Sequence, residues 1–128
     1  RTILDPPSSV FRETPDLIRQ KMATGTFLVA CAGEQIVGLV FYQNHGDHTY
    51  LGRLSVLPEW QGQGIARTLI TAVEQRARQF GTPAVQLAVR VALPQLIAMY
   101  RRYGYLISSE QRHPGYTHTT FVTMEKRF

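Results

Sequence analysis

Residues 54–67 read Leu54-Ser55-Val56-Leu57-Pro58-Glu59-Trp60-Gln61-Gly62-Gln63-Gly64-Ile65-Ala66-Arg67. The stretch predicts a strand that ends at a proline, a turn with two glycines, and the start of a helix. Glycine lets the backbone approach a ligand closely, and a helix start presents unpaired N–H groups at the positive end of its dipole. The segment therefore indicates a phosphate or pyrophosphate site, although glycines that merely turn the chain would give the same pattern.

Two widespread phosphate-binding loops do not match this segment. A P-loop ends in Gly-Lys-Ser/Thr, whereas Gly64 is followed by Ile65 and Ala66. A dinucleotide fingerprint needs a third glycine, but Arg67 stands at that position. It also needs an acidic residue at the end of the next strand, and this chain has none there. The turn therefore predicts an anion site of another kind.

The segments around this turn predict alternating strands and helices. Residues 26–32 and 35–43 form a hairpin pattern around Gly33-Glu34, and residues 49–57 form the next strand. Residues 65–80 repeat apolar positions every three or four residues and end before Gly81, which predicts a helix. After these come a predicted strand over 84–90, a helix over 94–103, and strands over 105–109 and 118–126.

The N-terminal residues give a weaker pattern. Residues 1–13 contain Pro6-Pro7-Ser8-Ser9 and are predicted to be a loop. Thr14 is a suitable N-cap with Pro15 after it, so a helix is expected from there to about Gly25. The complete order predicts a mixed α/β sheet with one parallel crossover in the middle and antiparallel hairpins on both sides.

Composition limits the class of protein. A chain of 128 residues with 44% hydrophobic and 18% charged residues suits one folded domain over residues 1–128. It has no apolar run of 18 residues and no leader pattern, and its start at Arg1 leads us to expect a truncated N-terminal strand. The single cysteine, Cys31, lies in an apolar run, which predicts a buried thiol and a cytoplasmic protein.

Charge indicates the chemistry of the partner but not its identity. Fourteen Lys and Arg against nine Asp and Glu give a net charge of +5, which suits an anionic cofactor, an acidic substrate or nucleic acid. The basic residues are scattered in short groups rather than in one long run. The charge therefore selects none of the three partners.

Two motifs carry a resemblance to a known family. Gln61-x-x-Gly64-x-Ala66, directly after a Leu-Ser-Val-Leu-Pro strand end, resembles the Arg/Gln-x-x-Gly-x-Gly/Ala acetyl-CoA motif of the GNAT N-acetyltransferase superfamily. Residues 98–105, which contain Tyr100 and Gly104-Tyr105, resemble the Leu-Tyr-x-x-x-Gly-Phe segment of that superfamily. The spacing of the motifs and the element order match as well, over roughly residues 14–126.

The resemblance implies a fold and a cofactor site. It implies a mostly antiparallel sheet whose two parallel strands, 49–57 and 84–90, splay apart around the cofactor, with a first strand upstream of Thr14. The strand at 54–56 would pair with the pantetheine arm, and the turn would bind the pyrophosphate through backbone N–H groups. The implied acetyl-CoA (coenzyme A) contacts are Leu54, Ser55, Val56, Gln61, Gly62, Gln63, Gly64, Ile65, Ala66 and Arg67.

The resemblance also implies one catalytic residue, Tyr100, as general acid near the thioester sulfur. No general base carries over, because Tyr50, Gly52 and Ala88 stand where some members have Glu or His. His48 and Asp47 are the nearby candidates, with ordinary loop residues as the alternative. The Asn that often precedes the Tyr helix is also absent from residues 93–96.

Acceptor recognition in this fold comes from the first helix region and the last strand pair. These correspond to Phe11-Arg12-Glu13 and His113-Pro114-Gly115-Tyr116, where Glu13 could hold a cationic amine and Arg12 an anionic group. No helical His-x-x-x-His spacing occurs, so no metal site is expected.

Three hypotheses follow. The first is an acetyl-CoA-dependent N-acetyltransferase that acts on a small-molecule or peptide amine by direct attack on the thioester. The second is a non-catalytic acyl-CoA sensor of the same fold, which the missing base and Asn favour. The third and weakest is a small basic nucleic-acid binder. No membrane partner is expected. The resemblance leaves a homodimer open, although no interface can be read from the sequence.

Overall fold

The computed structural model describes residues 11–13 and 25–128. The strands are β1 (Phe11–Glu13), β2 (Thr26–Ala32), β3 (Gln35–Asn44), β4 (Thr49–Val56), β5 (Ala84–Arg90), β6 (Leu106–Gln111) and β7 (Phe121–Arg127). The helices are α1 (Ile65–Phe80) and α2 (Pro94–Arg102), and a single 3₁₀ turn spans Pro58–Trp60.

Seven strands form one mixed sheet in the order β1-β2-β3-β4-β5-β7-β6. The β4 and β5 strands are parallel, whereas every other neighbouring pair is antiparallel. Helix α1 makes the crossover between β4 and β5, as two parallel neighbours require. The predicted mixed α/β sheet, its central crossover and its antiparallel flanks are confirmed.

The parallel pair is joined only at its start. Thr49 pairs with Val85 and Tyr50 pairs with Gln86, and no later residue of β4 pairs with β5. The two strands therefore separate towards their C-terminal ends, and the splayed pair implied by the family resemblance is confirmed.

A bulge lies in β4 where the strands separate. Leu39 and Phe41 of β3 pair with Ser55 and Gly52, so β4 carries one more residue than β3 between these pairs. Arg53 takes a positive φ of 55° there, and no other non-glycine residue described has a positive φ. A β-bulge of this kind bends its strand and redirects its side chains.

The hydrophobic core lies between the sheet and helices α1 and α2. Helix α1 buries the apolar stripe predicted from its periodicity, which includes Ile65, Leu69 and Val73. Gly38 of β3 lets this stripe approach the sheet, since a Cβ there would lie 3.0 Å from the Ile65 side chain. The helix ends at Gly81, whose φ of 80° gives the left-handed C-cap expected of glycine.

The N-terminal predictions need one correction. Residues 11–13, predicted to be loop, form β1, in which Arg12 pairs with Val29 of β2. Edge pairing decides this segment, and three residues are too few for alternating hydrophobicity to reveal a strand. The strand expected upstream of Thr14 is thus present and short, whereas the helix predicted from Thr14 falls within residues 14–24, outside the described residues.

Candidate active site

A groove of about 610 Å³ opens where β4 ends and α1 begins. One wall is the end of β4 with the turn and the first residues of α1, and the other wall is helix α2. Its lining residues are Leu54, Ser55, Val56, Trp60, Gln61, Gly62, Gly64, Ile65, Ala66, Arg67, Leu96, Met99, Arg102 and Tyr103.

The turn between β4 and α1 is tied to the strand that precedes it. The side-chain Nε2 of Gln61 donates a hydrogen bond of 3.0 Å to the carbonyl oxygen of Val56. The backbone N–H of Trp60 donates to Leu57, and that of Gln61 donates to Pro58, which closes the 3₁₀ turn. These bonds hold the glycine segment beside the end of β4.

The backbone of the turn presents N–H groups at the groove. Gly62 and Gly64 have φ values of 79° and 83°, which only glycine adopts at little cost. Helix α1 starts without a side-chain cap. The backbone N–H groups of Gln61 and Thr68 donate to carbonyl oxygens, whereas those of the residues between them have no acceptor in the described chain. The intervening N–H groups, at the positive end of the helix dipole, form a cradle for an anion.

The structure brings most of the predicted cofactor residues together. Nine of the ten line this one groove, and Gln63 does not. Sequence reasoning missed Trp60 and the α2 side, namely Leu96, Met99, Arg102 and Tyr103. The spacing 96, 99, 103 along α2 could have identified one apolar face, but periodicity alone does not tell a groove wall from core.

Tyr100 lies beside this groove rather than in it. It lines a neighbouring cavity of about 220 Å³ between the splayed strands, which shares Leu54 and Leu96 with the groove. Burial of the Tyr100 hydroxyl, and secondarily the nearby Tyr50, raise the pKa of Tyr100 to about 12. The hydroxyl is therefore protonated at neutral pH, as a general acid or hydrogen-bond donor must be.

No base occupies the positions that some family members use. The Tyr50 ring covers Gly52, where an added Cβ would lie 2.6 Å from the Tyr50 hydroxyl. Ala88 is exposed in the cavity of Tyr100 and brings no ionisable group. No Asp, Glu or His among residues 25–128 lines that cavity.

The two base candidates taken from the sequence do not lie at the groove. His48 and Asp47 bond to each other at 2.7 Å in the loop before β4. The groove begins at Leu54, six residues further along the strand, which is about 20 Å of extended chain. Neither side chain lines the cavity of Tyr100, which begins two residues after His48 at Tyr50, so a role for them as base stays a prediction.

The predicted acceptor segments lie on different parts of the sheet. His113 lines a cavity of about 210 Å³ with Phe121 and residues 88–90 of β5. Its Nδ1 lies 2.5 Å from Thr120 Oγ1, whereas Tyr116 is exposed and outside this cavity. Strand β1 is separated from β4 by β2 and β3, and the side chains of Arg12 and Glu13 are not described.

The described residues contain neither a metal-binding cluster nor a membrane-spanning helix. No group of three His, Cys, Asp or Glu side chains in that part of the chain is arranged to hold a metal ion. Likewise, neither of its helices is long and apolar enough to cross a membrane.

Known proteins match both the sequence and the fold. The family model for the GNAT acetyltransferase family matches residues 2–105. A Bacillus anthracis protein described as a streptothricin acetyltransferase, solved with acetyl coenzyme A, has a TM-score of 0.74 and 17% identity over 82% of this chain. The PaiA N-acetyltransferase of Thermoplasma acidophilum, solved with coenzyme A, has a TM-score of 0.73 and 20% identity over 88%.

A third match is the ribosomal-protein-S18-alanine N-acetyltransferase of Escherichia coli, with a TM-score of 0.74 and 18% identity over 89% of this chain and 76% of its own. This chain spans 63% of the Bacillus protein and 66% of the Thermoplasma protein. Identities this low establish the fold alone, whereas the family model covers most of the chain. The chain belongs to the GNAT acetyltransferase family.

Proposed function

We propose that the chain transfers the acetyl group of acetyl-CoA to a primary amine. The observation that carries the proposal is the placement of an anion-binding cradle and a buried tyrosine on either side of Leu54, where β4 and β5 separate. The family match and its relatives bound to coenzyme A support the same cofactor.

The groove suits coenzyme A on chemical grounds. The backbone N–H groups from Gly62 to Arg67 suit a pyrophosphate, as open helix starts do. Apolar side chains such as Leu96 and Met99 suit the pantetheine arm, and Arg67 and Arg102 add two positive charges. A Cβ at Gly62 would meet no atom of the described residues within 4 Å, so these residues leave the space in front of this backbone open to a ligand.

The exposed edge of β4 suits the thioester end. Because pairing with β5 stops at Tyr50, the later backbone groups of β4 on that edge are available to a ligand. When bound, acetyl-CoA supplies an activated acyl carbon. A backbone N–H that donates to the developing oxyanion is worth roughly 3–4 kcal/mol.

Tyr100 suits the leaving-group side of the reaction. The amine nitrogen forms a bond to the acyl carbon, the carbon–sulfur bond breaks, and sulfur takes the electron pair. Tyr100 donates a hydrogen bond or its proton to that sulfur. Since a thiol has a pKa of about 8.5, the thiolate is a fair leaving group, and the Tyr100 hydroxyl accelerates the step without being indispensable.

The proton of the attacking amine leaves through solvent. An alkylammonium has a pKa near 10.4 and attacks only as the neutral amine. With no described carboxylate or imidazole in the Tyr100 cavity, water takes this proton. We therefore expect the rate with alkylamines to rise with pH across the neutral range.

Two measurements test the proposal. Calorimetric titration with acetyl-CoA measures cofactor binding, and release of coenzyme A thiol across a panel of amines measures transfer, with the thiol of Cys31 subtracted. Binding with turnover of one amine class is the expected result. Binding without turnover on small amines or peptides would favour the acyl-CoA sensor, and absence of binding would overturn the proposal.

A further inference from the structure

We infer that the acceptor is a small amine that also carries an acidic group, a carboxylate or a phosphate, and that Arg90 and Arg53 bind that group. The inference rests on the proposed acetyl transfer and names the substrate class of the same site. It follows from the charges on the cavity of Tyr100 and on the neighbouring cavity of His113 along β5.

The two cavities are neighbours along β5. The cavity of Tyr100 and the cavity of His113 share Ala88, Val89 and Arg90 as lining residues. Arg90 is the last residue of β5, it is exposed, and it lines both cavities. An acceptor that reaches Tyr100 from this side therefore passes Arg90.

The bulge in β4 adds a second cation. Arg53 lies at the bulge with a positive φ and lines the cavity of Tyr100. Its guanidinium carbon lies 5.7 Å from the centre of the Phe41 ring, which fixes the charge against an apolar surface. The bulge thus places a cationic residue in the lining of the cavity between the strands.

Neither guanidinium is neutralised by the described chain. The described ion pairs involve Asp47, Glu74 and Glu125, and none of them includes Arg53 or Arg90. No Asp or Glu of residues 25–128 lines either cavity. A polycationic acceptor would meet only repulsion there, whereas a carboxylate or phosphate would gain two partners, and arginine binds both groups in bidentate geometry.

A matched set of short amines tests this inference. The set is β-alanine, its neutral amide, 1,3-diaminopropane, and O-phosphoethanolamine as the phosphate arm. We expect kcat/KM to be at least about tenfold higher for one of the two acids than for the amide, and lowest for the diamine. The two acids distinguish a carboxylate acceptor from a phosphate acceptor.

Arginine variants connect the preference to the residues. Arg90→Gln is expected to reduce the acid-to-amide ratio of kcat/KM to near one, and Arg90→Glu to reverse the order in favour of the diamine. Arg101→Gln is the matched control, because Arg101 is exposed and lines neither cavity nor the groove. Each amine has the same intrinsic reactivity with every variant, so the change in the acid-to-amide ratio between proteins isolates the contribution of Arg90.

Calorimetry with coenzyme A separates the two proposals. If the unchanged protein does not bind coenzyme A, the proposal of acetyl transfer itself is refuted. With binding intact, a higher kcat/KM for the amide or the diamine than for both acids would overturn the acidic-acceptor inference. An unchanged acid-to-amide ratio in Arg90→Gln would also overturn it. So would a protein whose coenzyme A complex acetylates neither acid and binds neither acid more tightly than the amide.

Discussion

The Gln61 side chain donates a 3.0 Å hydrogen bond to the carbonyl oxygen of Val56 and so joins the anion-binding turn to the strand that borders the same groove. One part-exposed hydrogen bond contributes about 1 kcal/mol. In Gln61→Ala we expect the Kd for acetyl-CoA, measured by calorimetry, to rise about 3- to 10-fold because the turn is less well positioned.

Gln75→Ala is the control for that variant. Gln75 is exposed on α1 and lines none of the cavities described above. Equal Kd values for Gln61→Ala and the unchanged protein would mean that the hydrogen bond does not organise the site.

A methyl group at Gly62 should have two effects, one on backbone conformation and one on cofactor binding, and Gly46 serves to separate them. Gly62 and Gly46 have φ values of 79° and 88°, and at either position an added Cβ would meet no atom of the described part of the chain within 4 Å. Alanine at either site should cost about 1 kcal/mol in the free energy of unfolding, because a Cβ disfavours this backbone region. Only Gly62→Ala should also weaken acetyl-CoA binding, by about tenfold or more, since its methyl group would fill the anion cradle.

Denaturant unfolding and calorimetry on both variants check this expectation. If Gly46→Ala and Gly62→Ala weaken binding equally, the loss reflects general destabilisation, and Gly62 does not lie against the ligand.

The sequence predicted those parts of the fold whose signals are local. Helix α1 was predicted with its observed bounds, because its apolar stripe is long and Gly81 and Pro83 end it. The groove wall from Leu54 to Arg67 was predicted because one contiguous segment supplies it. Residues that act through partners distant in sequence were not accessible in this way.

Three features show where local signals fail. The bulge at Arg53 depends on the register between β3 and β4, and neither strand carries a motif for it. Arg102 reaches the groove only because α2 packs beside β5. His48 was named as a candidate base because it precedes the cofactor strand, but position along a strand does not tell whether its side chain reaches the cavity of Tyr100, which it does not line.

Removal of the Tyr100 hydroxyl should reduce the rate and leave the fold intact. The described chain offers that buried hydroxyl no hydrogen-bond partner, so Tyr100→Phe should change the free energy of unfolding by less than about 0.5 kcal/mol. We expect kcat to fall by about 10- to 100-fold, as for loss of one general acid. Steady-state kinetics with unchanged cofactor Kd would support this role, and an unchanged kcat would contradict it.

Alkaline pH should destabilise the protein through Tyr100. Its pKa is about 12 in the folded chain and about 10 when unfolded, because burial disfavours the phenolate. The unfolded chain therefore loses this proton first, and stability that is complete below pH 10 is lost as pH rises towards 12. Two pKa units correspond to on the order of 2 kcal/mol, so the melting temperature of Tyr100→Phe should fall less steeply above pH 10. If the melting temperatures of the two proteins fall equally steeply with pH above pH 10, Tyr100 does not contribute to the alkaline destabilisation.

Loss of the Tyr105 hydroxyl should affect stability rather than rate, the opposite of Tyr100. The two rings pack edge-on with their centres 5.8 Å apart, but the Tyr105 hydroxyl has a hydrogen-bond partner of its own. Its fully buried hydroxyl donates a 2.8 Å hydrogen bond to Glu74, a carboxylate that Lys126 also contacts at 3.2 Å. Tyr105→Phe leaves the carboxylate one donor short, which should lower the free energy of unfolding by about 1–3 kcal/mol. Because this hydroxyl lies outside the reacting cavity, kcat should stay within about twofold.

A double-mutant cycle assigns the loss to that hydrogen bond. In a Glu74→Gln background the charge is gone, so Tyr105→Phe should cost less than in the unchanged protein. Chemical denaturation of the four proteins gives the coupling energy. Equal costs in both backgrounds would place the effect in ring packing, and a large loss of kcat in Tyr105→Phe would show that the two tyrosines act as one unit.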